Sequence, residues 1–190
     1  MPAADRRSAL TDMTHLMNLI QSRESCRHYS AKQPERDSLL RCLEAARLSP
    51  SACNTQPWHI TLVCNDPAMV QATAECLRDE TMNRFTEEVP AFAVISEIPV
   101  SLSQRVAAKF PNQTFSQIDI GLMTAHFCLK ATEEGLSTCI LGYMYEERLK
   151  KLLSLPDEWK PRIVIAIGYA AEEQLRPKKR KPLDEIADFR

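Results

Sequence analysis

The sequence predicts an α+β domain, because segments with a helical period of apolar residues alternate with short runs of apolar and β-branched residues. Four of these runs have the length of strands. The last of them, residues 162–170, is apolar without interruption, as in a buried strand. The longest helical pattern, residues 116–134, is apolar around much of its surface. Such a helix is expected at the centre of a domain or at a subunit interface.

The first half of the chain predicts three helices and two strands. Pro34 fits the first turn of the second helix, and the pair Ser49–Pro50 must end that helix. Asp66 is a suitable N-cap for the third helix, with Pro67 in its first turn. The predicted helices are residues 15–25, 34–48 and 66–77, and the predicted strands are residues 59–64 and 90–96.

The second half of the chain predicts two helices, two strands and a basic tail. Gly135 fits a left-handed stop after the long helix, and Gly142 fits a turn after the following strand. The predicted elements are the long helix at 116–134, a strand at 137–141, an amphipathic helix at 145–155, a strand at 162–170 and the tail at 176–183.

Length and composition predict one globular domain, residues 13–190, behind a flexible polar lead-in, residues 1–12. The chain has 190 residues, of which 44% are hydrophobic and 26% are charged, and its net charge is −1. We therefore expect neither nucleic acid nor a membrane as a partner, and no apolar run approaches the roughly 20 residues that span a bilayer. The first residues do not resemble a secretion signal, so we expect a cytoplasmic protein.

The spacing of cysteines and histidines disfavours metal and disulfide chemistry. The seven cysteines are an odd number, the closest pair is eleven residues apart, and there is neither a CxxC nor an HxxxH motif. We therefore expect no metal site, and reduced thiols that pack as small apolar side chains. There are four glycines and no GxGxxG or P-loop motif, which disfavours a resident dinucleotide in a Rossmann cleft.

Three polar stretches stand apart from what the fold requires. In SRESCRHYS, residues 22–30, an extended backbone would send Arg23, Ser25 and Arg27 to one side. There they suit an anionic ligand, or else form a solvated charged edge. In SPSACNTQPW, residues 49–58, two prolines fix a loop that is either a plain connection or a rigid support for a ligand. The tail RPKKRKPL is either solvated or a weak nucleic-acid patch.

Five motifs follow one another in a fixed order along residues 16–188. They are RESCR in the first stretch, EAARLSPSACNTQPW, QIDIG in the long helix, GLSTCILG, and AIGYA with the basic tail RPKKRKPL. Together they resemble the FMN-dependent nitroreductase family. That family has the patterns R-R-S-x-R, E-A-A-x-x-A-P-S-x-x-N-x-Q-P-W, D-I-G, G-L-G-x-C, and A-x-G-Y before a basic tail.

The resemblance implies a central mixed, mainly antiparallel sheet flanked by helices, with a long buried interface helix and an extended C-terminal arm. It implies a homodimer that binds FMN tightly and non-covalently at the subunit interface, with NADH or NADPH as a transient reductant. The implied activity is an FMN-dependent NAD(P)H:acceptor oxidoreductase. It would work in a ping-pong cycle through flavin N5 on nitroaromatics, quinones or similar flat acceptors.

The resemblance also assigns roles to single residues. Arg27 matches the basic residue beside flavin N1 and O2, where a positive charge favours the anionic reduced flavin. Asn54 matches the asparagine that bonds the polar edge of the ring. The implied phosphate site is Arg23, Ser25, Lys178 and Arg180. The full cofactor-binding set is Arg23, Glu24, Ser25, Cys26, Arg27, Pro50, Ser51, Asn54, Gln56, Leu141, Gly142, Lys178 and Arg180, of which Arg27, Leu141 and Gly142 are catalytic.

Within this set, Ser51 and Gln56 are expected to brace the loop that holds Asn54. Leu141 and Gly142 match the turn whose backbone approaches flavin N5, and the missing Cβ of Gly142 permits a close approach.

Four residues depart from the family pattern or lie close to the implied pocket. Glu24 stands where a basic residue is common, and we expect it to point away from the phosphate. Ser137 stands where glycine is usual. Cys53 and Cys139 lie near the implied pocket, but no histidine is placed to activate Cys53, so we expect packing rather than nucleophilic chemistry.

Two further interpretations remain open at this stage. The same fold could support other flavin chemistry, namely dehalogenation, dehydrogenation or flavin cleavage. The chain could also be a non-catalytic regulator that binds flavin or nucleic acid through its basic tail.

Overall fold

The computed structural model describes residues 15–101, 109, 114–172 and 175–190, so the predicted lead-in, residues 1–12, lies outside the described residues. Five helices and four strands alternate irregularly within these ranges. The helices are α1 (His15–Ser22), α2 (Arg36–Arg47), α3 (Pro67–Cys76), α4 (Phe115–Glu133) and α5 (Glu146–Leu152). The strands are β1 (Trp58–Val63), β2 (Ala91–Glu97), β3 (Ser137–Leu141) and β4 (Lys160–Gly168).

The strands form one antiparallel sheet in the order β1–β2–β4–β3. Two isolated bridges attach the segment after α1 to this sheet. Ser25 pairs in parallel with Thr138 of edge strand β3, and Tyr29 pairs antiparallel with Ala170. The sheet is therefore mainly antiparallel with a parallel contact at its edge, and the predicted α+β class is confirmed.

Both faces of the two central strands are covered, which explains why β2 and the middle of β4 are continuously apolar. Residues 91–96 of β2 are all buried. Phe92 and Val94 belong to a core cluster with residues of α3 and α5, whereas Ala93 and Ile95 belong to a second cluster with residues of α2 and α4. Alternate residues of one strand thus serve two cores, so no polar face is needed.

Helix α4 is confirmed as the long, widely apolar helix that the sequence predicts. Its outer side keeps Ile118 54% exposed and Leu122 44% exposed in the single chain. The inner side packs against α2 and the sheet, and its buried residues are Asp119, Ile120, Met123, Thr124, Phe127, Cys128 and Ala131. Burial of one side leaves an outer apolar face available to a further surface.

Several helix ends follow local chemistry, and others correct the predictions. The first helix was expected to run to residue 25 but ends at Ser22, and the amphipathic helix expected at 145–155 spans Glu146–Leu152. Asp66 caps α3 by accepting a hydrogen bond from the backbone N–H of Ala68 at 2.9 Å, and Gly135 ends α4 with φ +73°, both as predicted. Pro34 was expected to open α2, but that helix begins at Arg36. The reason is that Glu35 keeps an extended backbone as the N-cap.

Residues 175–190 form an extended arm that is exposed throughout and contains one short 3-10 turn, Leu183–Glu185. This agrees with the C-terminal arm that the resemblance implies. The basic part of the arm returns to the segment after α1, as described below.

We expect Gly168→Ala to lower the free energy of unfolding by about 1–3 kcal/mol, the usual cost of overpacking a core. A Cβ at this position would lie 2.7 Å from Pro90 Cγ and 2.8 Å from Tyr29 Cδ1. Urea denaturation measures the change. Gly121→Ala is the matched control, because a Cβ on Gly121 meets no atom within 4 Å. Equal stability of the two variants would contradict the prediction.

Candidate functional site

A cavity of about 900 Å³ lies where the segment after α1 crosses the start of β3. Its walls include residues 22–28, residues 135–138 at the junction of α4 and β3, residues 169–170, Glu172 and residues 175–177. A second cavity of about 360 Å³ adjoins it, between the same segment and residues 176–180 of the C-terminal arm. Arg23, Ser25 and Arg27 line both cavities, but Glu24 lines both as well, so the segment does not present alternate residues to one side as predicted.

The second cavity is strongly basic. In the part of the chain that the structure describes, neither Arg23 nor Arg27 forms an ion pair through its guanidinium group. The arm adds Lys178, whose ammonium group donates a hydrogen bond to the backbone carbonyl of Arg23. Partial burial, together with the neighbouring charges of Arg23 and Arg180, lowers the pKa of Lys178. Arg23, Arg27 and Lys178 form no ion pair with a carboxylate among the described residues, and such a group of cations suits an anionic ligand.

The expectation that Glu24 points away from the basic groups is wrong. Its carboxylate lies at both cavities and accepts hydrogen bonds from Nε of Arg176 at 3.3 Å and from the backbone N–H of Arg176 at 3.2 Å. Arg176 also donates from Nη2 to the carbonyl of Ser25 at 2.6 Å. The positive charge of Arg176, on the C-terminal arm, therefore balances that of Glu24. Spacing within residues 22–30 could not predict this contact. Glu24 fastens the arm to the segment after α1.

Cys26, within this segment, and Cys139, on the neighbouring strand β3, are both buried. Cys26 donates from Sγ to the carbonyl of His28 at 3.1 Å, and its backbone N–H donates to Thr138 at 3.0 Å. Burial raises the pKa of both thiols, although the charge of Arg27 opposes this at Cys139. These are packed, protonated thiols rather than nucleophiles. Cys53 is exposed.

The loop that contains Asn54 has an unusual backbone and internal hydrogen bonds. Cys53, Asn54 and Gln56 all have φ near +50°, a left-handed backbone that non-glycine residues rarely adopt. Ser51 Oγ accepts from the backbone N–H of Gln56 at 3.0 Å. The side-chain amide of Gln56 donates to the carbonyl of Asn54 at 3.1 Å. The bracing roles expected for Ser51 and Gln56 are thus confirmed.

Asp119 also holds this loop, and the sequence analysis missed it. The side chain is buried on α4, and Oδ2 accepts from the backbone N–H of Ala52 at 3.1 Å. The D-I-G motif was the available signal, because it placed an acidic residue on an otherwise apolar helix. No rule of spacing, however, connects it to a loop 67 residues earlier.

Within one chain the structure does not bring all predicted site residues together. Neither described cavity includes the loop residues Pro50, Ser51, Asn54 and Gln56. Leu141 is buried and paired with Val164, whereas Gly142 is exposed at the far end of β3. The residues that do converge are Arg23, Glu24, Ser25, Cys26 and Arg27 in the larger cavity, and Arg23, Glu24, Ser25, Arg27, Lys178 and Arg180 in the smaller one.

We expect Asp119→Ala to destabilise the protein by about 1–3 kcal/mol, because it removes a charged acceptor and leaves the N–H of Ala52 without its partner. Urea denaturation measures stability, and hydrogen exchange across residues 52–56 measures loop opening. Asp119→Asn is the control, since its amide oxygen can still accept. Unchanged exchange in Asp119→Ala would show that the carboxylate does not hold the loop.

The fold is that of an α+β protein with a cavity lined by basic residues at the edge of its sheet. The family description "Nitroreductase family" matches residues 20–169, and the chain belongs to this family. It is therefore an oxidoreductase of the NAD(P)H nitroreductase type.

Individual relatives agree with this assignment. A protein of Archaeoglobus fulgidus is 30% identical over 166 residues, which cover 85% of this chain and 89% of that protein. An oxygen-insensitive NADPH nitroreductase of Helicobacter pylori is 26% identical over 200 residues, covering 88% and 93%. The structure of an FMN-dependent nitroreductase from Clostridium difficile has a TM-score of 0.72 at 20% identity, covering 91% and 98%. Within the described ranges, no helix has both the length and the apolarity that crossing a membrane requires.

Proposed function

We propose that this chain is an FMN-dependent NAD(P)H:acceptor oxidoreductase that reduces nitroaromatics, quinones or similar flat acceptors in a ping-pong cycle. The observation that supports this most directly is the basic cavity, whose lining includes Arg23, Ser25, Arg27, Lys178 and Arg180. The FMN named for the Clostridium difficile relative provides the ligand class.

The donor set fits the phosphate of FMN. Guanidinium groups offer forked N–H donors to phosphate oxygens, and a Lys ammonium and a Ser hydroxyl add single donors. Arg23 lies on the segment after α1, whereas Lys178 and Arg180 lie on the arm, and the Glu24–Arg176 pair holds the two together. A protein with a net charge of −1 thus concentrates positive charge where a dianion would bind.

We further propose that residues 13–190 act as one domain and that the site is completed by a second copy of the chain. In one chain the Asn54 loop lies apart from the basic cavity, so a ligand there would lack the amide predicted for the flavin edge. Apolar side chains on the outer sides of α1 and α4 offer a surface for that second copy. They are Leu16, Met17, Ile20, Ile118 and Leu122.

When bound, FMN supplies a ring that accepts hydride from NADH or NADPH and passes electrons to an acceptor. The protein's contribution is charge and position. Arg27 is exposed in the cavity and has no carboxylate partner in the described part of the chain, so its charge is available to a developing anion. Gly142 has open space where a Cβ would stand, so its backbone can be approached closely.

An absorbance spectrum of the purified protein reconstituted with FMN, followed by anaerobic addition of NADH or NADPH, tests the proposal. We expect a bound flavin spectrum that bleaches on addition of the nicotinamide and recovers with a nitroaromatic or quinone. Halogenated and ring substrates in the same assay distinguish other flavin chemistry. A protein that binds no FMN, or whose flavin is not reduced, would contradict the proposal.

A further inference from the structure

The loop that joins β3 to α5, residues 142–145, is tied to a distant loop by a side chain that the proposed function does not yet use. The hydroxyl of Tyr143 donates to Oδ2 of Asp79 at 2.7 Å. Asp79 belongs to the loop between α3 and β2, so the contact spans 64 residues of sequence. We call this Asp79–Tyr143 hydrogen bond the tether; Tyr143 directly follows Gly142 in the sequence.

The carboxylate of Asp79 is also held by residues of its own turn. Its other oxygen, Oδ1, accepts from the backbone N–H of Thr81 at 2.7 Å, from the Thr81 hydroxyl at 3.0 Å and from the backbone N–H of Met82 at 2.7 Å. The backbone N–H of Asp79 in turn donates to the carbonyl of Met82 at 3.2 Å. Because the carboxylate of Asp79 is held by its own turn, it is a fixed acceptor and can restrain the position of the Tyr143 side chain.

The residues on both sides of Gly142 are held by contacts with the sheet and the core. Leu141 is paired in the sheet and buried, and Met144 packs partly against the core. The backbone N–H of Tyr145 donates to the carbonyl of Cys76 at 2.8 Å, and its ring meets that of Tyr143 edge to face at 5.8 Å. Gly142 itself has no side chain to anchor it, so its backbone depends on these neighbours.

Both ends of the tether keep their protonation states over the working pH range. The hydrogen bond from Tyr143, with help from the backbone N–H groups of Thr81 and Met82, holds the pKa of Asp79 far below its usual value. Hydrogen bonding with Tyr145 and with Asp79 raises the pKa of Tyr143 above its usual value. Tyr143 therefore remains a donor, and Asp79 a charged acceptor, from mildly acidic to mildly basic solution.

We propose that the Asp79–Tyr143 hydrogen bond positions the Gly142 backbone for hydride transfer at the reacting edge of the flavin. Tyr143 is then a positioning residue, not a catalytic one. The inference rests on the proposed function, in which residues 141–142 approach flavin N5. Its physical basis is that a misplacement of about 1 Å near the reacting atoms can lower a rate on the order of a hundredfold.

The test compares Tyr143→Phe and Asp79→Asn with the wild-type protein. Tyr29→Phe is the matched control, since it also removes a tyrosine hydroxyl that donates to the protein, here to the carbonyl of Ala166 at 3.4 Å. Three measurements are made on each: hydrogen exchange of residues 142–145 without FMN, the dissociation constant for FMN, and the anaerobic rate of flavin reduction at saturating NADH or NADPH. The second variant keeps the test usable if the first folds poorly.

We expect exchange at residues 142–145 to become about fivefold faster in Tyr143→Phe, as the loss of one hydrogen bond predicts. Flavin reduction should slow about tenfold or more, while the FMN dissociation constant stays within about twofold. Tyr29→Phe should lower stability without changing either the exchange of this loop or the rate.

The outcomes separate the two proposals. If wild-type protein binds and reduces FMN but Tyr143→Phe and Asp79→Asn do so at the wild-type rate, the positioning role is overturned and the proposed function stands. If wild-type protein binds no FMN, both fail together. Slower flavin reduction could also come with equally weaker FMN binding, or with unchanged hydrogen exchange at residues 142–145. Either result would assign the effect to the cofactor site and overturn the positioning role of Tyr143.

Discussion

A double variant, Arg23→Ala with Lys178→Ala, is expected to bind FMN at least about a hundredfold more weakly than the wild-type protein. Each substitution removes a cation from the smaller cavity, and the contact of Lys178 with the carbonyl of Arg23 is lost as well. Charge-assisted hydrogen bonds contribute about 1.5–3 kcal/mol each, and a hundredfold loss corresponds to about 2.8 kcal/mol. Fluorescence titration of the protein with FMN measures the dissociation constant.

The matched control is Lys181→Ala with Arg190→Ala. It removes the same number of positive charges, two, but neither residue lines a described cavity. If both double variants weakened FMN binding equally, the effect would belong to the total charge of the protein. Raising the salt concentration should weaken wild-type binding, because part of the attraction acts through solvent. It should weaken binding less in the double variant, which has fewer charges to screen.

Most of the fold could be predicted because its signals are local. The apolar runs gave all four strands to within about two residues, and Asp66 and Gly135 act through their own turns. The misplaced start of α2 shows the limit of such rules. Pro34 suits a first helical turn, but the backbone of Glu35 remains extended, and sequence alone does not choose between two acceptable starts.

The site could be predicted only where its contacts are short in sequence. Arg23, Ser25 and Arg27 share a cavity and lie within five residues of sequence, and Ser51 reaches Gln56 within one loop. Other contacts join parts of the chain that no periodicity connects. These are Glu24 with Arg176, Asp119 with Ala52, and Asp79 with Tyr143, separated by 152, 67 and 64 residues.

The Arg27→Ala variant is expected to reduce its flavin about a hundredfold more slowly than the wild-type protein at saturating NADH or NADPH. Arg27 is exposed in both cavities, and in the described residues its guanidinium has no carboxylate to neutralise it. Its charge would therefore be free to stabilise negative charge that develops on the flavin as hydride arrives. Removal of one such electrostatic group typically costs about 10²–10³ in rate. Anaerobic stopped-flow absorbance follows the bleaching of the flavin.

Arg27→Lys and Arg27→Gln decide whether charge is the cause. Lysine keeps a cation on a shorter, single donor, so we expect it to recover much of the lost rate, whereas glutamine keeps hydrogen-bonding capacity without charge and should not. The flavin's midpoint potential provides a second readout, because loss of a nearby positive charge should lower it in Arg27→Ala and Arg27→Gln but less in Arg27→Lys. Equal rates and potentials in the alanine and wild-type proteins would remove Arg27 from the electrostatics of hydride transfer. Equal recovery by lysine and glutamine would assign its role to hydrogen bonding.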